Sequence, residues 1–315
     1  MKVYTITTTC REEHPSRGRS FVALGNFDGL HHGHAAILSA CREGAAELDA
    51  IPGVFTFSTG KAPNLTTVDE RLALFEQAGM EAVWLADFDA LKGQSPREFV
   101  EITLAKMGAA GVVCGFNFRF GKGASGDVNT LAALCAEYDI ECQVISPITD
   151  TKEGITVSST QIRRRLTVGD MEGVTALLGR PWSVTGTVAH GRAVGGKVLS
   201  SPTMNLPITQ PRLLPPYGVY FTRCTVDGIR YDAITNLGVR PTFGESELLA
   251  ETHLLGAKGD FYGKTVQVEF LHFHRPERVF ATPAELADTI AADIQSAKQY
   301  FLTISTSLPQ TEVTL

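Results

Sequence analysis

An excess of positive charge, closely spaced cysteine pairs and long apolar runs are all missing from this chain. Its 34 acidic residues outnumber 28 basic ones, for a net charge of −6. That balance argues against broad nucleic-acid binding, which needs a basic face, but leaves room for a local basic pocket. No apolar run approaches the ~20 residues that span a bilayer, and the first residues lack the basic-then-apolar pattern of a secretory signal. The six cysteines (Cys10, Cys41, Cys114, Cys135, Cys142 and Cys224) contain no C-x-x-C spacing. They read as small buried hydrophobes of a reducing compartment, not a disulfide frame or zinc site. The expectation is a cytoplasmic protein with neither membrane nor nucleic acid among its partners, as a monomer or weak homo-oligomer. Internal repeats and low-complexity tracts are also absent. What is present is ordinary and globular: 43% hydrophobic and 20% charged residues, enough for a full core. A length of 315 residues favours two domains.

From residue 1 to about 180, strand-like and helix-like segments alternate. Strands are expected at Phe21–Leu24, Val54–Phe57, Ala82–Ala86, Gly111–Cys114 and Cys142–Ser146. Between them, Thr67-x-x-Glu70 and Ser95-Pro96-x-Glu98 are capping boxes, and Asp127 precedes a helix through Tyr138. Such alternation implies a parallel sheet with right-handed crossovers, which binds ligands at the carboxyl ends of its strands. The texture changes near Arg180-Pro181. Polar–apolar alternation follows at Trp182–Ala189, Gly218–Val226, Ile229–Asn236, Glu251–Leu255 and Thr265–Phe273, with Asp227-Gly228 as a hairpin turn. An amphipathic helix from about Pro283 to Phe301, opened by Thr282-Pro283-x-Glu285, closes a small β-barrel or sandwich. The expected divisions are 1–180, 181–305 and a polar tail, 306–315.

Gly25-Asn26-Phe27-Asp28-Gly29-Leu30-His31-His32-Gly33-His34 follows the first of these strands and opens a helix from roughly His34 to Leu48. A helix N-terminus offers unpaired N–H groups and partial positive charge, so it attracts phosphate. His31 and His34 are suited to stabilising charge that develops on phosphoryl oxygens, and the H-x-G-H pattern resembles the nucleotidylyltransferase superfamily. Two other readings stand beside it: a D-x-x-H-x-x-H metal site and a pair of structural, turn-capping histidines. Further on, Val157-Ser158-Ser159-Thr160-Gln161-Ile162-Arg163 sets three hydroxyls before a helix carrying Arg163, Arg164 and Arg165. The hydroxyls can cap the helix or donate to phosphate, and an arginine can neutralise a triphosphate.

Two glycine patterns mislead. Gly121–Gly126 matches G-x-G-x-x-G but does not directly follow a strand and lacks the framing βαβ unit of a dinucleotide site. Gly191–Val198 fits a P-loop except that Val198 lacks the final hydroxyl. In the second half, Thr203 and Asn205 are two apart, so an extended segment turns both to one side. Their oxygens are hard ligands suited to Mg²⁺ on nucleotide phosphates; a polar turn is the alternative. Glu251 and His253 likewise share one strand face, where Glu251 is either a general base for a substrate hydroxyl or a solvated surface residue.

In order along the chain, these pieces resemble the bifunctional prokaryotic FAD synthetases, which join a riboflavin kinase to an FMN adenylyltransferase. The N-terminal half carries Gly25-Asn26-Phe27-Asp28-Gly29-x-His31-x-Gly33-His34, Gly115-Phe116-Asn117-Phe118-x-Phe120-Gly121, Gly126-Asp127 and Ser158-Ser159-Thr160-x-x-Arg163. The C-terminal half carries Gly179-Arg180-Pro181, Gly186-x-Val188-x-His190-Gly191, Pro202-Thr203-x-Asn205-Leu206, Gly218-Val219-Tyr220, Asn236-x-Gly238-x-Arg240-Pro241-Thr242-Phe243, Glu251-Thr252-His253 and Tyr262-Gly263. The resemblance implies a Rossmann-like α/β nucleotidylyltransferase domain followed by a small riboflavin kinase β-barrel with a terminal helix. It implies ATP, riboflavin and FMN as partners, Mg²⁺ with ATP as cofactor, and flavins as substrates and products. Glu251 would be the kinase base, Thr203 and Asn205 the Mg²⁺ ligands, and Gly191 and Lys197 phosphate contacts. In the other half His31 and His34 would act on the α-phosphate. Gly25, Asn26, Phe27, Asp28, Gly33, Ser158, Ser159, Thr160 and Arg163 would hold the nucleotide, with Asn117 and Arg275 facing flavin.

The departures from the family pattern lie mainly in the second half. Lys197 replaces an arginine, Ser200 a glycine, Met204 an alanine, and His274 a leucine. They keep an alternative open, an FMN adenylyltransferase whose C-terminal domain binds flavin without phosphorylating it.

Overall fold

In the computed structural model, which describes residues 1–7, 18–58, 63–150, 154–189, 203–241, 246–257 and 259–307, the chain forms two compact units. One comprises Met1–Arg163, Leu177–Gly179 and Pro211–Leu213; the other comprises Arg164–Ala176, Arg180–Gln210 and Leu214–Leu315. The candidate phosphate contacts Gly191 and Lys197 lie outside the described residues.

The first unit is built on a six-stranded sheet of β1 (Lys2–Ile6), β2 (Ser20–Leu24), β3 (Ile51–Phe57), β4 (Ala82–Ala86), β5 (Ala109–Gly115) and β6 (Glu141–Ile145). Its order is β1-β4-β3-β2-β5-β6, and every pairing is parallel. The central strands are mostly apolar because both faces are covered: Phe21, Val22, Ala23 and Leu24 of β2 and Val112, Val113 and Cys114 of β5 are all buried. Helices α1 (His32–Glu47), α2 (Val68–Gln77), the short α3 (Phe88–Leu91) and α4 (Pro96–Glu98), and α5 (Val128–Glu137) supply the cover, with a π-helical turn at Phe99–Leu104. Both expected capping boxes form, Thr67 with Glu70 and Ser95 with Glu98, and Asp127 caps α5 through the Thr130 N–H. Strand order reverses direction beside β2, between β3 and β5, which opens a crevice at their carboxyl ends.

Two differences from expectation have simple causes. Strand β1 was not expected; it is an edge strand paired on β4, largely exposed, and so has no apolar run to betray it. Helix α1 starts at His32, not His34, because the His31 side chain is its N-cap.

The second unit begins with α6 (Ser159–Thr167), which also contributes residues to the first, and α7 (Met171–Leu178). Its sheet comprises β7 (Trp182–Thr187), β8 (Met204–Pro207), β9 (Gly218–Val226), β10 (Ile229–Pro241), β11 (Ser246–Leu254) and β12 (Thr265–Pro276), in the order β7-β12-β9-β10-β11-β8. The pairings are antiparallel, and a bridge between Ala189 and Asn205 brings the two sheet edges together. Two register shifts in β12 bend it where the barrel turns. Trp182, Tyr220 and Phe270 fill the interior, ring to ring at 5.0–5.1 Å. Across β9, β10 and β11 the buried hydroxyls of Thr222, Thr235 and Thr252 form a ladder, with oxygens 2.7 and 2.9 Å apart. Helix α8 (Pro283–Ser307) lays Ala297 and Phe301 against Phe221 on the outer face.

Cys10 lies outside the described residues; the other cysteines behave as small hydrophobes. Cys41, Cys114, Cys135 and Cys224 are buried and Cys142 is half-buried. Burial pushes the thiol pKa up to about 11 at Cys41 and about 12 at Cys114 and Cys224, so they are not nucleophiles at neutral pH. No helix of the described residues is long and apolar enough to cross a membrane.

Candidate active sites

At the carboxyl end of β2 the chain turns sharply. Phe27 (φ 49°) and Leu30 (φ 41°) both occupy the left-handed region, a cost of order 1 kcal/mol each for a residue with a Cβ. Packing holds them there: the wholly buried Phe27 ring lies edge-on to Phe75 at 5.6 Å and to His34 at 5.2 Å. Gly29 (φ 84°) relieves the turn between them, and any Cβ there would also sit 2.8 Å from Leu65.

His31 then does two jobs. Its Nδ1 accepts the His34 N–H at 3.3 Å, capping α1. With Nδ1 an acceptor, the neutral ring carries its proton on Nε2, as a donor. The His31 and His34 rings stack 3.6 Å apart at 14°. Gly33 is small because a Cβ there would lie 3.1 Å from the His31 ring. The capping and charge-stabilising readings of these histidines are therefore compatible. Among the described residues no group of three His, Cys, Asp or Glu side chains is arranged to hold a metal, which disfavours the D-x-x-H-x-x-H alternative.

Asp28 sits behind this turn, 2% exposed. Its Oδ1 accepts the Leu65 and Thr66 N–H groups at 2.8 and 3.2 Å, and its Oδ2 meets Arg163 Nη2 at 2.5 Å. Ser159 Oγ donates to the Asp28 carbonyl at 3.0 Å, while Ser158 Oγ accepts the Gln161 N–H at the start of α6. One aspartate thus ties together the turn, the loop before α2 and the Ser-Ser-Thr-x-x-Arg helix. Arg71, 1% exposed, braces the same corner through the carbonyls of Asn26 and Phe57, both at 2.9 Å. Burial lowers its pKa, and the Asp28 charge opposes that.

In front of the turn lies a cavity of about 650 Å³. Its lining combines Gly25, Asn26, His31, Gly33, His34 and the run Ser158, Ser159 and Thr160 with Asn117 and the rings of Phe55, Phe57, Phe88, Phe99, Phe116, Phe118 and Phe120. Asp28 and Arg163 are not in the lining. Gly121, Gly123 and Ala124 of the misleading glycine pattern are, in a loop closed by the Phe120–Gly126 bridge.

In the second unit, Asn205 of β8 and Asn236 of β10 both stand opposite Glu251 of β11, on either side of it. Asn205 is buried and Thr203 half-buried just before the strand. Arg240 reaches back along β10: its Nη2 donates to Glu251 Oε1 and, at 3.3 Å, to Asn205 Oδ1. Asn236 Nδ2 donates to Glu277 at 3.3 Å. His253, on the same face as Glu251, is half-buried, and burial with the Lys298 charge lowers its pKa. Arg275 makes a bidentate pair with Asp293 of α8, nearest approach 2.7 Å, and donates to the Pro276 carbonyl; His274 meets the same carboxylate at 3.2 Å.

Several of these residues were not legible as functional. Arg71 and Thr66 carry no local signal, since their roles come from distant segments. The phenylalanine wall has a faint one in the alternation Phe116-Asn117-Phe118-Arg119-Phe120. Arg240 stood inside a quoted motif, but only the register shows what it reaches.

The two units define an α/β nucleotide-site protein joined to a small antiparallel barrel, and comparison with known proteins agrees. A family model described as FAD synthetase matches residues 13–161, and one described as riboflavin kinase matches 178–301. The bifunctional riboflavin kinase/FMN adenylyltransferase of Pseudomonas fluorescens is 35% identical over 90% of this chain and 94% of its own length. That of Bacillus subtilis is 29% identical over 96% and 98%, and that of Escherichia coli K12 31% identical over 89% and 92%. A crystal structure described as a macrolide-efflux protein from Streptococcus pneumoniae superimposes with a TM-score of 0.81 at 26% identity, covering 94% of this chain and 98% of that one. The chain belongs to the bifunctional riboflavin kinase/FMN adenylyltransferase family.

Proposed function

We propose that this chain phosphorylates riboflavin to FMN in its barrel unit and adenylylates FMN to FAD in its α/β unit, using one ATP in each step. The observation that carries the reading is that both family models match one chain; within the matched segments Asp28 meets Arg163, and Arg240 meets both Glu251 and Asn205. No observation favours the alternative of a silent kinase.

In the α/β unit the FMN phosphate oxygen attacks the α-phosphorus of ATP, and the bond to the departing pyrophosphate breaks. Charge grows on the phosphoryl oxygens, and fixed donors stabilise it. His31, with its proton directed to Nε2 by the cap, and His34 supply them. Ser158, Ser159, Thr160 and Arg163 hold the pyrophosphate, with Gly25, Asn26, Phe27 and Gly33 around the nucleotide and Asp28 holding Arg163. A cavity lined by both hydroxyl and imidazole groups and phenylalanine rings suits a triphosphate and a planar flavin together, with Asn117 as the flavin contact. Arg275 is a second flavin candidate, now committed to Asp293.

In the barrel unit Glu251 accepts the proton of the ribityl 5′-hydroxyl as that oxygen attacks the γ-phosphorus, and the bond from the γ-phosphorus to the oxygen of the departing ADP breaks. The donor set fits Mg²⁺: Thr203 Oγ1 and Asn205 Oδ1 are hard neutral oxygens of the kind that share the ion with nucleotide phosphates. The ion, when bound, neutralises phosphate charge. Gly191 and Lys197 are the remaining phosphate candidates. A reducing, cytoplasmic setting and a monomer or weak homo-oligomer complete the reading; the free cysteines support the first.

Glu251→Gln tests it. The amide cannot take a proton, so FMN formation from riboflavin should stop while FMN-to-FAD conversion continues. Loss of both activities in a folded variant would contradict separate sites.

A further inference from the structure

Arg240 has no assigned part in the reaction, yet its guanidinium reaches both groups on which the kinase reading depends. Nη2 donates to Glu251 Oε1 and to Asn205 Oδ1. These come from three adjacent strands: Arg240 from β10, Glu251 from β11 and Asn205 from β8. Arg240 lies opposite Glu247, not Glu251, so its arm runs back toward the Asn236–Glu251–Asn205 row. The Arg240 and Glu251 side chains are 32% and 31% exposed, so a ligand can reach both.

We propose that Arg240 is the positioning residue of the kinase site. By holding Oε1 it fixes the carboxylate plane and leaves Oε2 for the substrate hydroxyl. By sharing the same nitrogen with Asn205 it sets the distance between the base and the amide oxygen. Phosphoryl transfer gives the protein little covalent work, so catalysis rests on placement of attacking oxygen, base and phosphate. An unheld glutamate samples several rotamers, few of them productive. Arginine suits the task because one planar fork serves two oxygens; a lysine ammonium on its flexible stem is a poorer fit. The inference rests on the reading of Glu251 as the base.

The experiment compares Arg240→Gln, Arg240→Lys and Glu251→Gln. Arg240→Gln should lower kcat for riboflavin phosphorylation about tenfold or more, the scale of a misplaced acid–base group, with the KM for riboflavin nearly unchanged. Arg240→Lys should recover part of that kcat. FMN-to-FAD conversion should be unaffected in both. Riboflavin binding, read by quenching of flavin fluorescence without ATP or metal, should match the parent protein. Unchanged kcat in Arg240→Gln, a loss confined to the KM for ATP, or lost riboflavin binding would each overturn the positioning role. Glu251→Gln separates the two failures. If it is inactive while Arg240→Gln is normal, only this inference falls; if Glu251→Gln still phosphorylates riboflavin, the reading of the base falls with it.

Discussion

Oδ2 of Asp28 and Nη2 of Arg163 lie 2.5 Å apart although 135 positions separate them in the chain. The carboxylate is buried while the arginine side chain is 30% exposed, so the pair anchors an arginine that still faces solvent. Its other carboxylate oxygen is held by two backbone N–H groups. The candidate phosphate turn and the segment from Ser158 to Arg163 are therefore tied together through Asp28.

Asp28→Asn should destabilise the α/β unit by about 2–4 kcal/mol, because it strands the guanidinium and weakens the acceptor for Leu65 and Thr66. Calorimetric melting measures this. FMN adenylylation should fall, while FMN formation from riboflavin persists below the melting temperature. Unchanged melting would mean that the pair carries no weight.

His31→Asn separates capping from chemistry. Asparagine is among the better N-caps, so α1 should hold and stability change by less than about 1 kcal/mol. The Nε2 donor is lost, and adenylylation should slow by about 10² or more. A near-normal rate would remove His31 from the reaction.

The threonine ladder predicts a non-additive result. Thr235→Val removes the middle hydroxyl and leaves those of Thr222 and Thr252 buried without it, at about 1–3 kcal/mol. Replacing all three with valine removes every member at similar shape and should cost less than the single change. Chemical denaturation of the two variants decides it; a triple variant weaker than the single would refute the account.

His253 makes the barrel unit pH-sensitive. Burial and Lys298 depress its pKa, so the folded chain favours the neutral ring. The unfolded chain takes up the proton first as the pH drops below about 6.5. Stability due to the neutral ring is full above that value and declines below it until the folded ring protonates too. His253→Gln should flatten the fall in melting temperature between pH 7 and 5.5 relative to the parent. An equal fall in both would assign it to other groups.

Local chemistry was the legible part of this chain. The capping boxes at Thr67 and Ser95 follow from residue type and spacing, and the buried strands β2 and β5 from short continuous apolar runs. Strand β8 was harder: four residues long, it exists through its pairing with β11, and its Asn205, with Thr203 just before it, also reads as a polar turn. The capping role of His31 stood among the readings of the turn, but the start of α1 was placed two residues late because the usual caps are hydroxyl, amide and carboxylate side chains. Asp28 stands in sequence among the candidate nucleotide contacts, and what its carboxylate holds within the chain is not legible there. Its actual partners are 37 to 135 positions away, and no spacing rule reaches that far. Arg71 and Arg240 were hidden for the same reason: each is defined by what it reaches across strands.

The central claim is that one chain performs both steps in order. The most direct measurement is chromatography of the products formed from riboflavin with ATP and Mg²⁺, beside a parallel reaction started from FMN. The account predicts FAD from both starts, with FMN appearing first when riboflavin is supplied. FAD from FMN alone would contradict it and leave an adenylyltransferase with a silent barrel.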